Sequence, residues 1–327
     1  MAEPRFQILG VGNAIVDVVA TCDDGFLAAQ GLAKGAMMLV DAEEAERLYG
    51  AMPPGQESSG GSAANTCAVA SALGAKVAYL GKVADDQLGR VFRHDITAAG
   101  VHYPSLPLAG VAPTARCLIA VTPDGQRTMS TYLGASVAFE PGDVDAAVVA
   151  DSAVTYLEGY LFDPPKAQAA FRQAAVAARA AGRRVALSLS DAFCVARHRA
   201  AFLALLGEVD VLFANEAEIT SLYETADFEA AAARAADEVG LCALTRGAAG
   251  SVVLRGSERV TVEAAAARVV DSTGAGDAYA AGFLTGLTRG DDLAACGRLG
   301  SVAAAAVIGQ IGARPLERVR DMAGSGA

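Results

Sequence analysis

One short segment, residues 271–277, combines the backbone and the side chains that phosphate chemistry requires. Gly274 and Gly276 can adopt backbone conformations that bring the chain close to a ligand. The apolar run that follows predicts a helix N-terminus, whose unpaired amides and dipole attract anions. Asp277 would repel a bound phosphate. Its position makes sense if it accepts a proton from a hydroxyl while the amides hold the transferred group, and the alternative is a simple helix cap.

Two further groups of polar residues could face a ligand. A second glycine-rich turn, with Gly60 and Gly61, leads into a predicted helix at residues 66–73, and Asn65 lies near the start of that helix. Asp17 is a charge inside an alternating apolar segment that predicts a strand at residues 15–20. It is either a solvent-facing strand residue or a carboxylate that accepts hydrogen bonds from a polyol.

The composition excludes several classes of function. A formal net charge of −11 over 327 residues argues against nucleic acid and anionic membranes as partners. The six cysteines form no CxxC pair and the three histidines lack zinc-ligand spacing, so we expect reduced, buried cysteines and no zinc site. No GxxxxGK[ST] phosphate loop and no GxSxG elbow occur. The N-terminus shows no secretory signal pattern, and we expect a cytoplasmic protein.

The elements that position these residues follow a regular α/β alternation. After an early strand at residues 6–12, the second part of the chain predicts four strands and four intervening helices. The strands are at residues 154–158, 184–188, 209–213 and 242–245, and the helices at residues 165–181, 198–206, 216–222 and 228–239. Such repeats predict a parallel sheet covered on both faces, with ligands beyond the carboxyl ends of its strands.

A second group of strands interrupts this alternation. Residues 15–20, 37–40, 116–121 and 126–133 read as strands, the last two joined by a hairpin turn. We expect them to form one small sheet that acts as a lid over the site. The lid would comprise about residues 13–41 and 105–136 within a single domain spanning residues 1–327.

Taken in order, five motifs resemble those of the ribokinase-like (PfkB) family of carbohydrate and nucleoside kinases, over nearly the whole chain. They are G-N-x-x-x-D at 12–17, G-G-x-x-x-N at 60–65, N-x-x-E at 215–218, T-R-G-x-x-G at 245–250 and D-x-T-G-A-G-D at 271–277. Residues 10–17, 187–193 and 209–218 are most similar to the adenosine kinases of that family.

The resemblance implies a ribokinase-like fold and transfer of phosphate from ATP, with Mg²⁺, to the 5′-hydroxyl of adenosine, giving AMP and ADP. It implies that Asp277 is the base, that Gly274, Ala275 and Gly276 form an anion hole, and that Arg127 reaches the transferred phosphate. It assigns the substrate to Asn13, Asp17, Met37, Gly60, Gly61, Asn65, Leu133, Ala135 and Tyr160. It assigns ATP to Asn215, Thr245, Arg246, Gly247 and Gly250, Mg²⁺ to Glu218 through water, and K⁺ to Asp271.

One departure from the pattern of the adenosine kinases keeps other substrates open. Adenosine kinases often carry a polar residue where this chain has Met37 and Met38, although an aromatic side chain is available at Tyr160. The alternatives are a sugar kinase of the ribokinase or fructokinase type and a nucleotide-binding sensor without catalysis. The presence of Asp277 argues against the sensor. Both a monomer and a homodimer are compatible with the sequence.

Overall fold

The computed structural model of the chain describes residues 3–110, 112–314 and 316–324. In chain order the strands are β1 (Phe6–Val11), β2 (Ile15–Thr21), β3 (Met37–Leu39), β4 (Gln56–Gly60), β5 (Val77–Leu80), β6 (Val101–His102), β7 (Ala115–Val121), β8 (Arg127–Tyr132), β9 (Ser152–Glu158), β10 (Arg184–Ser188), β11 (Val211–Asn215), β12 (Leu241–Thr245), β13 (Ser251–Arg255) and β14 (Glu258–Val262). The α-helices are α1 (Asp24–Ala29), α2 (Ala42–Ala51), α3 (Ser62–Ala72), α4 (Gln87–Ala98), α5 (Ala146–Ala150), α6 (Pro165–Ala180), α7 (Ala192–Leu206), α8 (Glu216–Tyr223), α9 (Phe228–Glu238), α10 (Ala275–Arg289), α11 (Leu293–Ile308) and α12 (Leu316–Gly324).

The larger sheet has the strand order β14-β13-β12-β11-β10-β9-β1-β5-β6 within the described residues. Neighbours from β12 to β6 run parallel, whereas β13 and β14 are antiparallel additions at one edge. Its central strands are buried on both faces, and two apolar cores pack against it, one including α3, α10 and α11 and the other α6 to α9. The predicted parallel sheet with helices on both faces is confirmed.

The smaller sheet has the order β3-β8-β7-β2-β4. Alternate residues of its strands, among them Asp17, Ile119 and Met129, face a cleft between the two sheets. The opposite face packs its apolar residues, including Val16 and Leu118, into the core with α2 and α4. This period of two is what a half-covered sheet requires.

The structure extends the sequence predictions in three places. Strand β4 is missing from the predicted lid because its sequence, QESSG, lacks the β-branched and aromatic residues typical of strands. The structure also adds strands β13 and β14, which the sequence analysis does not predict. The helix predicted at residues 198–206 begins earlier, at Ala192, where Asp191 caps it by accepting a hydrogen bond from the Cys194 amide.

Two other expectations concern the chain as a whole. All six cysteines are buried and unpaired by disulfides. Among the residues that the structure describes, no helix has both the length and the apolar character needed to cross a bilayer.

Candidate active site

A cleft of about 1880 Å³ lies between the two sheets. The carboxyl ends of β9, β10, β11 and β12, together with the first turns of α3 and α10, form one side of it. The inner face of the smaller sheet forms the other side. This is the edge at which an open parallel sheet binds ligands, and the structure brings most of the predicted site residues to it.

The turn before α10 has a backbone geometry that requires glycine. Gly274 occupies the N-cap of α10 with a φ of 77°, and a Cβ added there would lie 2.6 Å from the Cβ of Ala313. Glycine is therefore required both by the left-handed conformation and by the close approach. Ala275 and Gly276 begin the helix and line the cleft. The Ala275 amide donates a hydrogen bond to the Ser272 carbonyl at 3.3 Å. The Gly276 amide lies in the first turn of α10, where backbone amides lack a partner one turn earlier in the helix, and it is available to an anion.

Asp277 does not act as a helix cap. Its Oδ1 accepts a hydrogen bond from Ser62 Oγ at 2.6 Å, and its Oδ2 accepts one from Asn65 Nδ2 at 3.0 Å. Burial raises the pKa of Asp277, and the hydrogen bonds from Ser62 and Asn65 oppose that effect. A half-buried carboxylate held by two donors beside the first turn of α10 is suited to accept a proton from a bound hydroxyl.

Ser62 and Asn65 are placed by the second glycine turn. Gly61 is the N-cap of α3, with a φ of 97°, and no side chain caps this helix. A Cβ on Gly61 would lie 2.1 Å from the backbone oxygen of Asn13. Helix α3 therefore starts directly against the end of β1, and its first turn points at Asp277.

Asp17 lies on β2 and lines the cleft from the smaller sheet. It packs over Gly60, where an added Cβ would come within 2.5 Å of the carboxyl carbon of Asp17. Burial raises the pKa of Asp17 to about 6, while the charges of Arg314 and Arg127 lower it. Asp17 is partly exposed to the cleft. Its carboxylate is available to accept hydrogen bonds from hydroxyl groups.

Glu158, at the end of β9, also lines the cleft, and the sequence analysis missed it. It accepts hydrogen bonds from the Asn13 amide at 3.2 Å, from Asn13 Nδ2 at 2.9 Å and from the Ala63 amide at 2.7 Å. Burial raises its pKa to about 7. A charge that ends an apolar strand was the available signal. Asn13, which it orients, keeps a buried Oδ1 without a partner.

Arg127 and Asp271 form an ion pair between β8 and the anion turn. Asp271 also accepts hydrogen bonds from the Thr273 amide at 3.0 Å and from the Gly312 amide at 2.9 Å. The pKa of Asp271 is lowered because these amides and Arg127 outweigh the effect of burial. A carboxylate already matched by a guanidinium and two amides does not fit a K⁺ ligand, so the assignment of Asp271 to K⁺ does not suit this arrangement.

Asn215 and Glu218 line the cleft at the start of α8, where they form a reciprocal capping box. Glu218 is buried, which raises its pKa to about 7, and the nearby charges of Asp191 and Asp277 act in the same direction. Clustered carboxylates at the end of a sheet favour a cation. Within the described residues, no set of three or more acidic, histidine or cysteine side chains is arranged to hold a metal by itself.

Two of the residues predicted to bind the nucleotide, Arg246 and Gly250, do not line the cleft, whereas Thr245 and Gly247 do. Arg246, in contrast, pairs with Glu216 at 2.9 Å and stacks on the ring of Phe228 at 4.1 Å. Gly250 closes the turn behind it, where a Cβ would lie 2.0 Å from the backbone oxygen of Val262. Neither residue faces the cleft in this structure, and their assignment to ATP stays a prediction.

Large apolar side chains line the cleft from both of its sides. Met37 is 55% exposed, Leu39 60% and Tyr160 41%, which is unusual for large apolar groups on a folded chain. Leu133 also lines the cleft, but Ala135 is fully buried behind it, so the structure does not place Ala135 against a ligand. Phe193, which the sequence analysis did not assign to the site, lines the cleft with 80% of its surface exposed.

Four comparisons with known proteins identify the family and confirm the predicted ribokinase-like fold. Residues 32–318 match the profile of the pfkB family of carbohydrate kinases. The solved structure of adenosine kinase from Sinorhizobium meliloti is 54% identical, with a TM-score of 0.90, and the match covers 99% of this chain and 100% of that one. That of a probable sugar kinase from Rhizobium etli CFN 42 is 52% identical, also with a TM-score of 0.90, over 98% of each chain. Adenosine kinase of Saccharomyces cerevisiae is 28% identical over 94% of this chain and 97% of its own length.

Proposed function

Because this chain belongs to the pfkB family of carbohydrate kinases, we propose that it transfers the γ-phosphoryl group of ATP to the 5′-hydroxyl of a nucleoside, with adenosine preferred. The observation that carries the proposal is the Asp277 carboxylate, held by Ser62 and Asn65 beside the amides that begin α10. A site that only bound nucleotide would gain nothing from a carboxylate next to phosphate.

In the proposed reaction, the hydroxyl oxygen of the acceptor attacks the γ-phosphorus of ATP. The bond from that phosphorus to the bridging oxygen breaks, ADP leaves, and the hydroxyl proton passes to Asp277. A positioned base of this kind typically contributes about 10²–10⁴-fold to the rate. Burial raises the pKa of Asp277 and so favours its protonation. The neutral carboxylic acid that forms no longer carries the desolvation penalty of a charge.

The rest of the rate enhancement comes from charge stabilisation, because phosphoryl transfer needs mainly positioning and electrostatics. The amides of Gly274, Ala275 and Gly276 would face the transferred phosphoryl group as an anion hole. Arg127 lies near this turn through its pair with Asp271. Because a guanidinium carries five N–H donors, Arg127 would reach a phosphoryl oxygen while it keeps the pair with Asp271.

The nucleotide would lie against Asn215, Thr245 and Gly247, at the end of the cleft formed by β11 and β12. The donor set there fits Mg²⁺, which prefers oxygen ligands, keeps several waters and is usually carried by phosphates with one or two carboxylates. Glu218 would hold the ion through water. Once bound, the ion neutralises charge on the phosphates.

The preference for adenosine is supported by exposed apolar side chains on both sides of the cleft, with Met37 and Leu39 on the smaller sheet and Tyr160 after β9. A planar base packed against these side chains buries surface that a free sugar lacks. At roughly 25 cal/mol per Å², about 100 Å² of additional burial is worth about 2.5 kcal/mol. That free energy corresponds to nearly two decades of affinity.

The decisive experiment measures kcat/KM for adenosine, ribose and fructose at saturating ATP and Mg²⁺. We expect the value for adenosine to exceed both sugar values by at least about tenfold. Met37→Ser should lower the adenosine value and leave any ribose value unchanged. Leu106→Ser is the matched control, since Leu106 is 82% exposed but lies outside the cleft. A ratio of one or less would replace the nucleoside with a sugar as the substrate.

A further inference from the structure

Arg314 is a nearly buried arginine in the segment that follows α11, and its side chain is only 12% exposed. Its Nε donates a hydrogen bond to Asn65 Oδ1 at 2.7 Å, and its Nη1 donates one to Ser59 Oγ. Nη1 also lies 3.7 Å from Asp95 Oδ2. Removing a guanidinium from water is costly unless its partners are well placed. This group therefore joins the C-terminal segment to β4, α3 and α4.

The contact with Asn65 decides which end of a carboxamide faces Asp277. With Oδ1 held by the Arg314 guanidinium, the Nδ2 group is directed at Asp277 Oδ2, 3.0 Å away. The reversed amide would set its oxygen against a carboxylate and its NH₂ against guanidinium donors, so both contacts would be repulsive. Arg314 and Asp277 together therefore select one orientation of Asn65.

We propose that Arg314 is a positioning residue for the catalytic base: it fixes Asn65 as a donor and thereby holds the Asp277 carboxylate toward the acceptor hydroxyl. The inference rests on the proposed function, because Asp277 is the base only in that reaction. It adds a residue from the C-terminal segment, which lies outside the five sequence motifs.

The electrostatics around Asp277 point the same way. Burial raises the pKa of Asp277, and the charge of Arg314 lowers it. The other titratable groups that interact with this carboxylate carry negative charge when ionised and come from β2, β9, the turn after β9 and α8: Asp17, Tyr156, Glu158, Tyr160 and Glu218. Loss of Arg314 should therefore raise the pKa of Asp277 further, and the base will be ionised only at higher pH.

The test compares Arg314→Met, Arg314→Lys and Asn65→Ala, each alone, and Arg314→Met combined with Asn65→Ala. For Arg314→Met we expect kcat at pH 7 to fall at least about tenfold and the acid limb of its pH profile to move to higher pH, with KM for ATP unchanged. Arg314→Lys, which keeps the charge, should retain the wild-type acid limb and recover part of kcat. At a pH above the acid limb, where Asp277 is ionised in every variant, removing Arg314 from the Asn65→Ala background should cost less than about twofold, because the two residues position the carboxylate as one unit.

Arg298→Met is the matched control, since Arg298 is an exposed arginine on α11 and its loss changes the net charge equally. Additive losses in the double variant, or a lowered melting temperature with an unmoved pH profile, would mean that Arg314 is only structural. The pKa of Asp277, measured by carbon NMR on aspartate-labelled apo protein and assigned with Asp277→Asn, tests the same coupling without turnover. If no acceptor is phosphorylated by the wild type, the proposed function fails, and an NMR pKa unchanged in Arg314→Met would separately overturn the role of Arg314.

Discussion

The two sheets of this protein differ in what covers their faces. The larger sheet is packed by helices on both sides, so the residues at its strand ends are held before any ligand arrives. The smaller sheet is packed on one side only, and its other side presents Met37 and Leu39 to the cleft at 55% and 60% exposure. In the proposed reaction, the packed side supplies the groups that react, and the open side supplies groups whose burial the substrate completes.

This difference predicts how function divides between the two sides. A group on the packed side, fixed by hydrogen bonds within the protein, should act mainly on turnover. A group on the open side should act mainly on acceptor affinity, because its contacts form only in the complex. Asp277 and Asp17 face the same cleft from opposite sides and allow that division to be tested directly.

The largest effect is expected for Asp277→Asn. Turnover should fall by at least about 10²-fold, because an amide cannot accept the hydroxyl proton. Affinity for ATP should be retained, and the melting temperature should stay equal or rise, since burial already disfavours this charge. Stopped assays and thermal unfolding measure both quantities, with the exposed Asp237→Asn as the control. Near-normal turnover would remove Asp277 from the mechanism.

Asp17→Ala should act on binding instead. Loss of charge-assisted hydrogen bonds worth about 1.5–3 kcal/mol weakens acceptor affinity by about 10- to 100-fold and leaves ATP affinity unchanged. Because the pKa of Asp17 is raised to about 6, wild-type acceptor affinity should also fall as the pH drops through 6, and the variant should lack that dependence. Calorimetry at several pH values measures this.

Glu43→Ala is the control for Asp17→Ala, because Glu43 is an exposed carboxylate on α2, which covers the opposite face of the smaller sheet. Unchanged acceptor affinity in Asp17→Ala would contradict the division between the two sides of the cleft. An equal loss of ATP affinity would contradict it as well.

Glu158 allows the packed side to be tested through stability. Its pKa is raised to about 7, so the folded state binds this proton more tightly than the unfolded state, and its contribution to stability is lost as the pH rises through 7. Between pH 5 and 8 the wild type should lose about 2 kcal/mol more of its unfolding free energy than Glu158→Gln does. Urea denaturation across that range measures the slopes, and equal slopes would show that Glu158 is not desolvated.

The smallest effect concerns monovalent cations. Because Asp271 is paired with Arg127 and two amides, replacing tetramethylammonium with K⁺ at constant ionic strength should change turnover by less than about twofold. Parallel assays in the two salts measure this. Strong activation by K⁺ would mean that Arg127 leaves Asp271 during the reaction cycle and that the carboxylate is then free to bind the ion.

The sequence alone determined the α/β alternation, the existence of a small second sheet and the glycine turn before α10. Each of these depends on local signals: hydrophobic periodicity, turn residues and glycine placement act over a few residues. The same local signals missed β4, whose polar sequence becomes a strand only because β2 pairs with it.

Only the tertiary structure decided which side chains meet. Asp277 contacts Ser62 across 215 residues of chain, and Arg314 contacts Asn65 across 249. The spacing of residues in the sequence also does not encode two ion pairs, that of Arg127 with Asp271 and that of Arg246 with Glu216. The physical reason is that the partner of a buried polar group is chosen by packing and desolvation, which depend on every element around it, whereas helices, strands and turns are specified mainly by their own residues.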